Sequence, residues 1–389
     1  MGILNFSKFL QKHAPNCCYE YPLEAFRGKR IAIDMHGLIF QMMFGATTDI
    51  VERTDIAQER PDVNAIERKT LDMILNRLEV LMYYGITPVC AFDGKSHPMK
   101  QRTHNKRKIE REKNRDKLLE AETKLYSADP IFRTQILVNE YKKRYKSRVE
   151  PRWEFISQLK DVLISSGFPV VSAQDFPIET KDAEGLCAAL CMPGNDHCFA
   201  AVSEDSDFHV YGGNIELIEI YQKYVTKDDV RSTVYYAKVR TLERILMESG
   251  LSFEQFRDLC IMMGTDYNPN IPNVGEVKTW NYITQYGSVA ALSMVMDVSP
   301  LCYPEVVKIY ASPICKIELT LTQLSFDETR FRERGREVFD TYGMKDHTST
   351  ILNLLSGIAT IKGASVTTGP RRDLLKDDHE ESITGLIEL

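Results

Sequence analysis

Ile31-Ala32-Ile33-Asp34, Val89-Cys90-Ala91-Phe92-Asp93 and Phe199-Ala200-Ala201-Val202, the last followed by Glu204 and Asp205, share one pattern. Each is a short apolar run that ends at carboxylates. Unbroken apolar runs of this length are the mark of strands buried on both faces, as in a parallel sheet. Between the first two runs, Ile66, Leu71, Ile74, Leu75, Leu78, Leu81 and Met82 form the stripe of an amphipathic helix, and Gly85 is placed to cap its end. A further strand is expected around Val170-Val171, and a small-residue helix over 185–190. Alternating strands and helices predict an α/β fold with a central, mostly parallel sheet flanked by helices.

In such sheets the functional crevice lies beyond the carboxyl ends of the strands, where this chain places its acids. Asp182 and Glu184 open the small-residue helix, and Asp266 follows a helix expected over 253–263 that stops at Gly264. With Asp34, Asp93, Asp205 and Asp207 the set is seven carboxylates drawn from distant parts of the chain. Left alone they would repel one another. Hard divalent cations such as Mg²⁺ or Mn²⁺ prefer oxygen ligands and would neutralise them, and a pair of such ions suits in-line phosphoryl displacement. Asp205 and Asp207 share a face if the chain stays extended. Asp182 and Glu184 converge only if Asp182 sits at a helix cap. Single acids at strand ends are commonly caps, and the ordered set carries the argument. An EF-hand at Asp205-Ser206-Asp207 lacks its glycine, and a covalent aspartyl phosphatase would want an acid where His36 stands.

The 389 residues suggest two or three domains or one large α/β domain with insertions, and 43% hydrophobic with 27% charged residues is ordinary globular composition. The net charge is −6, which excludes a uniformly basic nucleic-acid coat. Charge is segregated instead: Lys95 to Lys117 carries ten Lys/Arg against three acids, Lys142 to Arg152 six against one, and Val366 to the end three against six. Nine cysteines without regular spacing point to reduced, intracellular thiols, and Cys187, Cys191, His197 and Cys198 lack the paired spacing of a zinc site. No apolar stretch is long enough to span a membrane, and no membrane partner is expected. Residues from about 100 to 153 are polar, basic and helical, broken at Asp129-Pro130, and read as an insertion over the active-site edge. Thr367-Thr368-Gly369-Pro370 and the charged run after it read as a mobile acidic tail.

Taken in order, Met1-Gly2-Ile3, Ala32-Ile33-Asp34, Phe92-Asp93-Gly94-Lys95, Asp182-Ala183-Glu184, Glu204-Asp205-Ser206-Asp207 and Leu259 to Tyr267 resemble the structure-specific 5′ nucleases, most closely the flap endonucleases. The resemblance covers roughly residues 1 to 330. It implies metal-dependent hydrolysis of phosphodiesters in branched DNA with a single-stranded 5′ flap, in replication, repair or recombination, with 5′-3′ exonuclease activity as a companion. It implies metal roles for all seven acids, although the family usually carries Glu where this chain has Asp182. Two Mg²⁺ ions would serve the site, Mn²⁺ could substitute, and K⁺ could sit in a helix-two-turn-helix. Lys100 and Arg107, with Arg111 continuing their helix face, match a cationic ridge that holds the scissile phosphate.

The resemblance also places Gly2, Phe40, Gly275 and Lys278 at the substrate. Phe40 stands where the family stacks a Tyr on a base. Asn273-Val274-Gly275 replaces the usual Gly-hydrophobic-Gly turn, whose backbone N–H groups grip duplex phosphates, and Asn tolerates positive φ. The implied division is a nuclease region over 1–110, a helical arch and cap over 111–155, an internal nuclease region with the helix-two-turn-helix over 156–330, and a C-terminal extension with the acidic tail over 331–389. Lys142, Lys143, Arg144, Lys146 and Arg148 would track flap phosphates. The stretch 381–389 has no aromatic pair, so no sliding-clamp motif is expected there, and a monomer is. The nucleus is the expected location for a cellular eukaryotic member, the cytoplasm otherwise. Competing readings are a 5′-3′ exoribonuclease on a related fold and a DNA-binding scaffold that has lost catalysis.

Overall fold

The computed structural model describes residues 2–203, 205–227, 230–312, 316–320, 322–341 and 351. The acidic tail and the 381–389 stretch lie outside the described residues, as do Met1 and Glu204. Seven strands form one sheet among the described residues: β1 Cys18–Pro22, β2 Arg30–Asp34, β3 Thr87–Phe92, β4 Val170–Ser172, β5 Ala200–Val202, β6 Ile215–Lys227 and β7 Val230–Thr241, in spatial order β1-β7-β6-β5-β2-β3-β4. The four pairings from β6 through β5, β2 and β3 to β4 are parallel, while β1 and β6 pair antiparallel with β7.

The helices that position the site are α1 Phe6–His13, α2 Met35–Arg53, α3 Val63–Tyr83, α4 Gln101–Tyr126, α5 Gln135–Lys146, α6 Trp153–Ser165, α7 Ala183–Cys191, α8 Leu242–Ser249, α9 Phe253–Met263 and α10 Glu276–Tyr286. Successive strand residues point to opposite faces, so each apolar run feeds two cores. Ile31 and Ile33 pack with α2, α3 and α6, whereas Ala32, Val89 and Ala201 pack with α1, α7 and α9. Every residue of the stripe read on α3 is buried, and Gly85 takes φ +73°, its N–H donating to the carbonyl of Met82. The parallel register sets Asp34 opposite Ala91 and Ile33 opposite Val202. The chain therefore leaves β3 and β5 toward Asp93 and Asp205 at the same sheet edge as Asp34.

The hairpin β6–β7 was not anticipated from the sequence. Its polar and charged residues interrupt the apolar runs, yet Glu216 on β6 is fully buried and held by Arg240 of β7 at 2.5 and 2.8 Å. The seams expected at 110/111 and 155/156 fall inside α4 and α6, because each of those helices continues unbroken from the sheet-bearing body into the insertion or back. Replacing fully buried Leu78 by Ala should lower the unfolding free energy by about 2–5 kcal/mol in urea titrations, with fold retained.

Candidate active site

Asp34 ends β2 and caps α2, its carboxylate accepting from the N–H groups of His36 (2.9 Å) and Gly37 (3.3 Å). Asp93 accepts from the N–H of Ala183 at 2.6 Å, which ties the end of β3 to the start of α7. Asp182 is the N-cap of α7 in extended backbone, as convergence with Glu184 requires, and its side chain caps nothing. Glu184 accepts from the N–H of Phe208 at 2.7 Å, linking α7 to the turn after β5. One cavity of about 320 Å³ is walled by Asp34, Asp93, Asp182, Glu184, Asp205 and Asp266, together with His36, Phe40, Lys100 and Arg107. Asp207 lies behind that wall, buried, taking a 3.1 Å hydrogen bond from the Tyr310 hydroxyl on one oxygen while its other has no hydrogen-bond partner among the described residues.

Packing the acids together perturbs them. Burial, then the charge of Asp93, pushes Asp34 up to about 7. Burial also raises Asp93, with Asp182 adding to it. Glu184 and Asp207 are driven well above the usual carboxylate range by burial and then by Asp205. Two cations from the insertion meet this charge: Lys100 Nζ lies 2.6 Å from Asp182 and Arg107 Nη2 2.6 Å from Asp266. Burial works against the Lys100 ammonium, but Tyr267 and Asp182 outweigh it and hold its pKa well above the ordinary value. Its ammonium also lies over the Tyr267 ring, 4.9 Å from the centroid.

The donor set, all hard oxygens with one orphaned and several raised, is the chemistry that a hard divalent cation satisfies. Among the described residues no three His, Cys, Asp or Glu side chains close on a common point as a ready cage. Lys100 and Arg107 engage two of the acids in its place.

Gly2 is set against this cluster with φ +57°, and a Cβ there would come within 2.2 Å of Asp205 Oδ1 and 2.7 Å of Asp207 Oδ1. The adjacent Ile3 N–H donates to Ser206 Oγ at 2.8 Å. Phe40 is 46% exposed on the cavity wall, so it is not the core ring that an apolar helix would suggest. The cationic ridge divides. Lys100 and Arg107 face the acids, but Arg111, although helical count keeps it on the same face, turns away to pair with Glu150. Lys142 and Lys146 both pair with Glu52 of α2, and Arg144 pairs with Glu140 within its own helix, so these three are engaged by the protein.

The turn between α9 and α10 has Asn273 at φ +62°, the conformation expected of it, while Gly275 is the extended N-cap of α10 with open space where a Cβ would stand. Lys278 donates to the carbonyl of Asn273 at 3.0 Å. Three side chains at the site escaped the sequence reading. His36 Nδ1 stands 3.2 Å from Asp93. Tyr267 and Thr180 donate to Asp182 at 2.5 and 2.6 Å, beside the Lys100 ammonium on the same oxygen. Position was the only signal for His36 and Tyr267, each one or two residues from an acid of the set.

Residues 1–114 match the XPG N-terminal domain and residues 167–266 the XPG I-region. Flap endonuclease 1 of Leishmania infantum is 30% identical over 304 residues, 77% of this chain and 68% of that protein. Flap endonuclease 1 of Leishmania braziliensis is 28% identical over 94% of this chain and 85% of its own length. Among solved structures, flap endonuclease-1 from Methanococcus jannaschii superposes with TM-score 0.53 at 19% identity, covering 87% of this chain and 96% of that one. The catalytic core of Rad2 in complex with DNA substrate gives 0.55 at 17%, covering 92% and 100%. These two likenesses are of fold.

A carboxyl harder to ionise in the folded than in the unfolded chain stabilises the fold while protonated and loses that contribution as it ionises. For Asp34 the loss runs from about pH 4 to about 7. In chelator, the wild-type urea midpoint should fall across that window, and Asp34→Asn, which keeps an oxygen for the α2 cap, should be more stable than wild type at pH 8 by roughly 2–4 kcal/mol. At pH 4 the difference should shrink toward zero. Mg²⁺ at pH 8 should raise the wild-type midpoint more than that of the variant.

Proposed function

The chain belongs to the flap endonuclease family, and on that premise we propose that the carboxylate cavity is where this structure-specific 5′ nuclease cleaves branched DNA. The finer reading is hydrolysis at the base of a single-stranded 5′ flap. The observation that carries it is the wall shared by six carboxylates and two cations, Lys100 at the N-cap of α4 and Arg107 within that helix. Two divalent ions, Mg²⁺ by preference, would be held by Asp34, Asp93, Glu184, Asp205, Asp207 and Asp266, and would supply an activated water and neutralise the leaving oxygen.

The chain's own groups do the positioning. Lys100 and Arg107 are the donors that lie beside the acids and can turn to a scissile phosphate. Phe40, exposed at the same wall, offers a ring to the base next to that phosphate. Backbone N–H groups at the start of α10, with Lys278 beside them, suit duplex phosphates without reading sequence. A monovalent cation such as K⁺ in that turn remains part of the reading. The tyrosine and threonine hydroxyls on Asp182 give that acid a separate part: with one oxygen already bound by three donors, Asp182 orients Lys100. A DNA-binding scaffold without catalysis would have no use for a cluster that costs this much to bury.

A panel of 5′-labelled flap, nick, hairpin, single-stranded and RNA substrates with Mg²⁺ tests the reading, and cleavage confined to RNA would overturn it. Asp93→Asn and Asp205→Asn should abolish cleavage while leaving flap binding largely intact by anisotropy. Lys100→Ala and Arg107→Ala should slow single-turnover cleavage by about tenfold to a thousandfold, with far smaller changes in binding.

Asp182→Asn should cost less than Glu184→Gln and should resemble Lys100→Ala in its single-turnover rate. A loss equal to that of Glu184→Gln, and unrelieved by Mn²⁺, would make Asp182 a metal ligand instead.

A further inference from the structure

Helix α4 has a second lined face beside the one that serves the acids. Lys108, Arg111 and Arg115 of that face line a cavity of about 470 Å³ whose opposite wall is Arg148 and Glu150, in the segment that returns from α5 to α6. Arg148 and Glu150 are also part of the wall of the next cavity, a groove of about 580 Å³ between α2, α3 and the same return segment. Arg148 and Glu150 thus face both spaces, which adjoin at those residues. The Arg111 to Glu150 ion pair lies at the junction, and both partners are about half exposed. An ion pair so open to water contributes about 0–1 kcal/mol, so a phosphate can replace Glu150 as the partner of Arg111 at little cost.

At the far end of this path stands Trp153, the first residue of α6 and 76% exposed. A tryptophan so exposed keeps its indole in water, which is uncommon for so large an apolar ring. Its neighbour Arg152 forms a fork with Glu67 of α3 through Nε at 2.7 Å and Nη2 at 2.5 Å. An exposed ring in a groove that adjoins an arginine-lined cavity matches the chemistry of single-stranded nucleic acid, whose phosphates need cations and whose unpaired bases need a π-face.

We propose that the Trp153 groove is a stacking site for the distal part of the single-stranded 5′ arm, with Lys108, Arg111, Arg115 and Arg148 receiving its phosphates on the way. The inference rests on the flap reading of the active site. The groove lies beyond the active-site wall along α2: Met43, which lines the groove, lies roughly 13 Å along that helix from Asp34 at 1.5 Å per residue. Only arms of several nucleotides would reach it, so the groove sets a length preference and leaves the cleavage step untouched.

The test compares flapped duplexes carrying a one-nucleotide arm and a long single-stranded arm, bound in chelator and followed by anisotropy. Wild type should bind the long arm more tightly. Trp153→Ala should lose that gain, at least about fivefold, while its affinity for the one-nucleotide arm and its single-turnover cleavage of that substrate stay at wild-type values. Trp153→Phe, which keeps a ring, should retain most of the gain. The chain has two tryptophans. The long arm should quench the emission component that is lost in Trp153→Phe, and the one-nucleotide arm should not. Equal arm-length dependence in wild type and Trp153→Ala, or Trp153 emission indifferent to the long arm, would overturn the inference while leaving the active-site reading in place. Failure of the wild type to cleave either flapped duplex would remove both.

Discussion

The organising constraint of this molecule is electrostatic: carboxylates from five separate segments are brought to one edge of a sheet and must be kept from driving one another apart. Coulomb repulsion at such spacing grows as water is excluded, and burial compounds it by penalising each ionised form. Three responses are built into the fold. The first is to give individual acids backbone donors, which couple them to other elements: Asp34 to α2, Asp93 to α7, Glu184 to the chain after β5. The second is to bring Lys100 and Arg107 in from the insertion. The third is to hold Asp34, Glu184 and Asp207 less readily ionised than their ordinary values allow. Gly2 fits the same logic, because the crowding of Asp205 and Asp207 leaves no room for a side chain there.

Much of this was legible in the sequence, for a physical reason. Strands buried on both faces leave no polar alternation, so β2, β3 and β5 announce themselves as apolar runs and their ends as the first charged residues. The carboxylate set followed from that reading, and six of the seven share one cavity. Helix α9 was expected at its observed bounds, and Asn273 in its observed left-handed conformation. What the sequence concealed were interactions that depend on which side chains meet. Arg111 is in register with Arg107 by helical count, yet Glu150, distant in sequence, draws it away. The β6–β7 hairpin hid because its buried Glu216 is legible only with Arg240 beside it. Tyr267 looks like an ordinary aromatic until Asp182 and Lys100 are placed against it.

The insertion can supply Lys100 and Arg107 in fixed positions because it is anchored away from the site. Ile56, Leu118, Leu125, Val138 and Tyr141 form a small core of their own between α4, α5 and the loop after α2. The Tyr126 hydroxyl lies 3.0 Å from the carbonyl of Ile56 and 2.9 Å from that of Glu59, and Arg60 reaches Glu122 at 2.5 Å. Each contact is modest singly. Together they tie α4 to the body at a point several turns beyond Arg107, while Thr103 Oγ1 holds its near end to the carbonyl of Asp266 at 2.8 Å. A helix held at both ends presents Arg107 between them, and Lys100 at its N-cap just before the near anchor, with little conformational freedom left to lose.

That arrangement also resolves an apparent contradiction between a formal charge of −6 and a polyanionic substrate. The formal count assigns a full negative charge to every acid, but Asp34, pushed up to about 7, carries less than that near neutral pH, and burial raises Glu184 and Asp207 in the same direction. Asp182 and Asp266 are matched by cations within 2.6 Å. The ten basic residues between Lys95 and Lys117 belong largely to α4, most of whose side chains face water. With a Debye length of about 8 Å at physiological ionic strength, an approaching phosphate responds to the nearest charges and hardly to the sum over the molecule. Net charge is then a poor guide to partner, and the placement of charge along one anchored helix is the informative quantity.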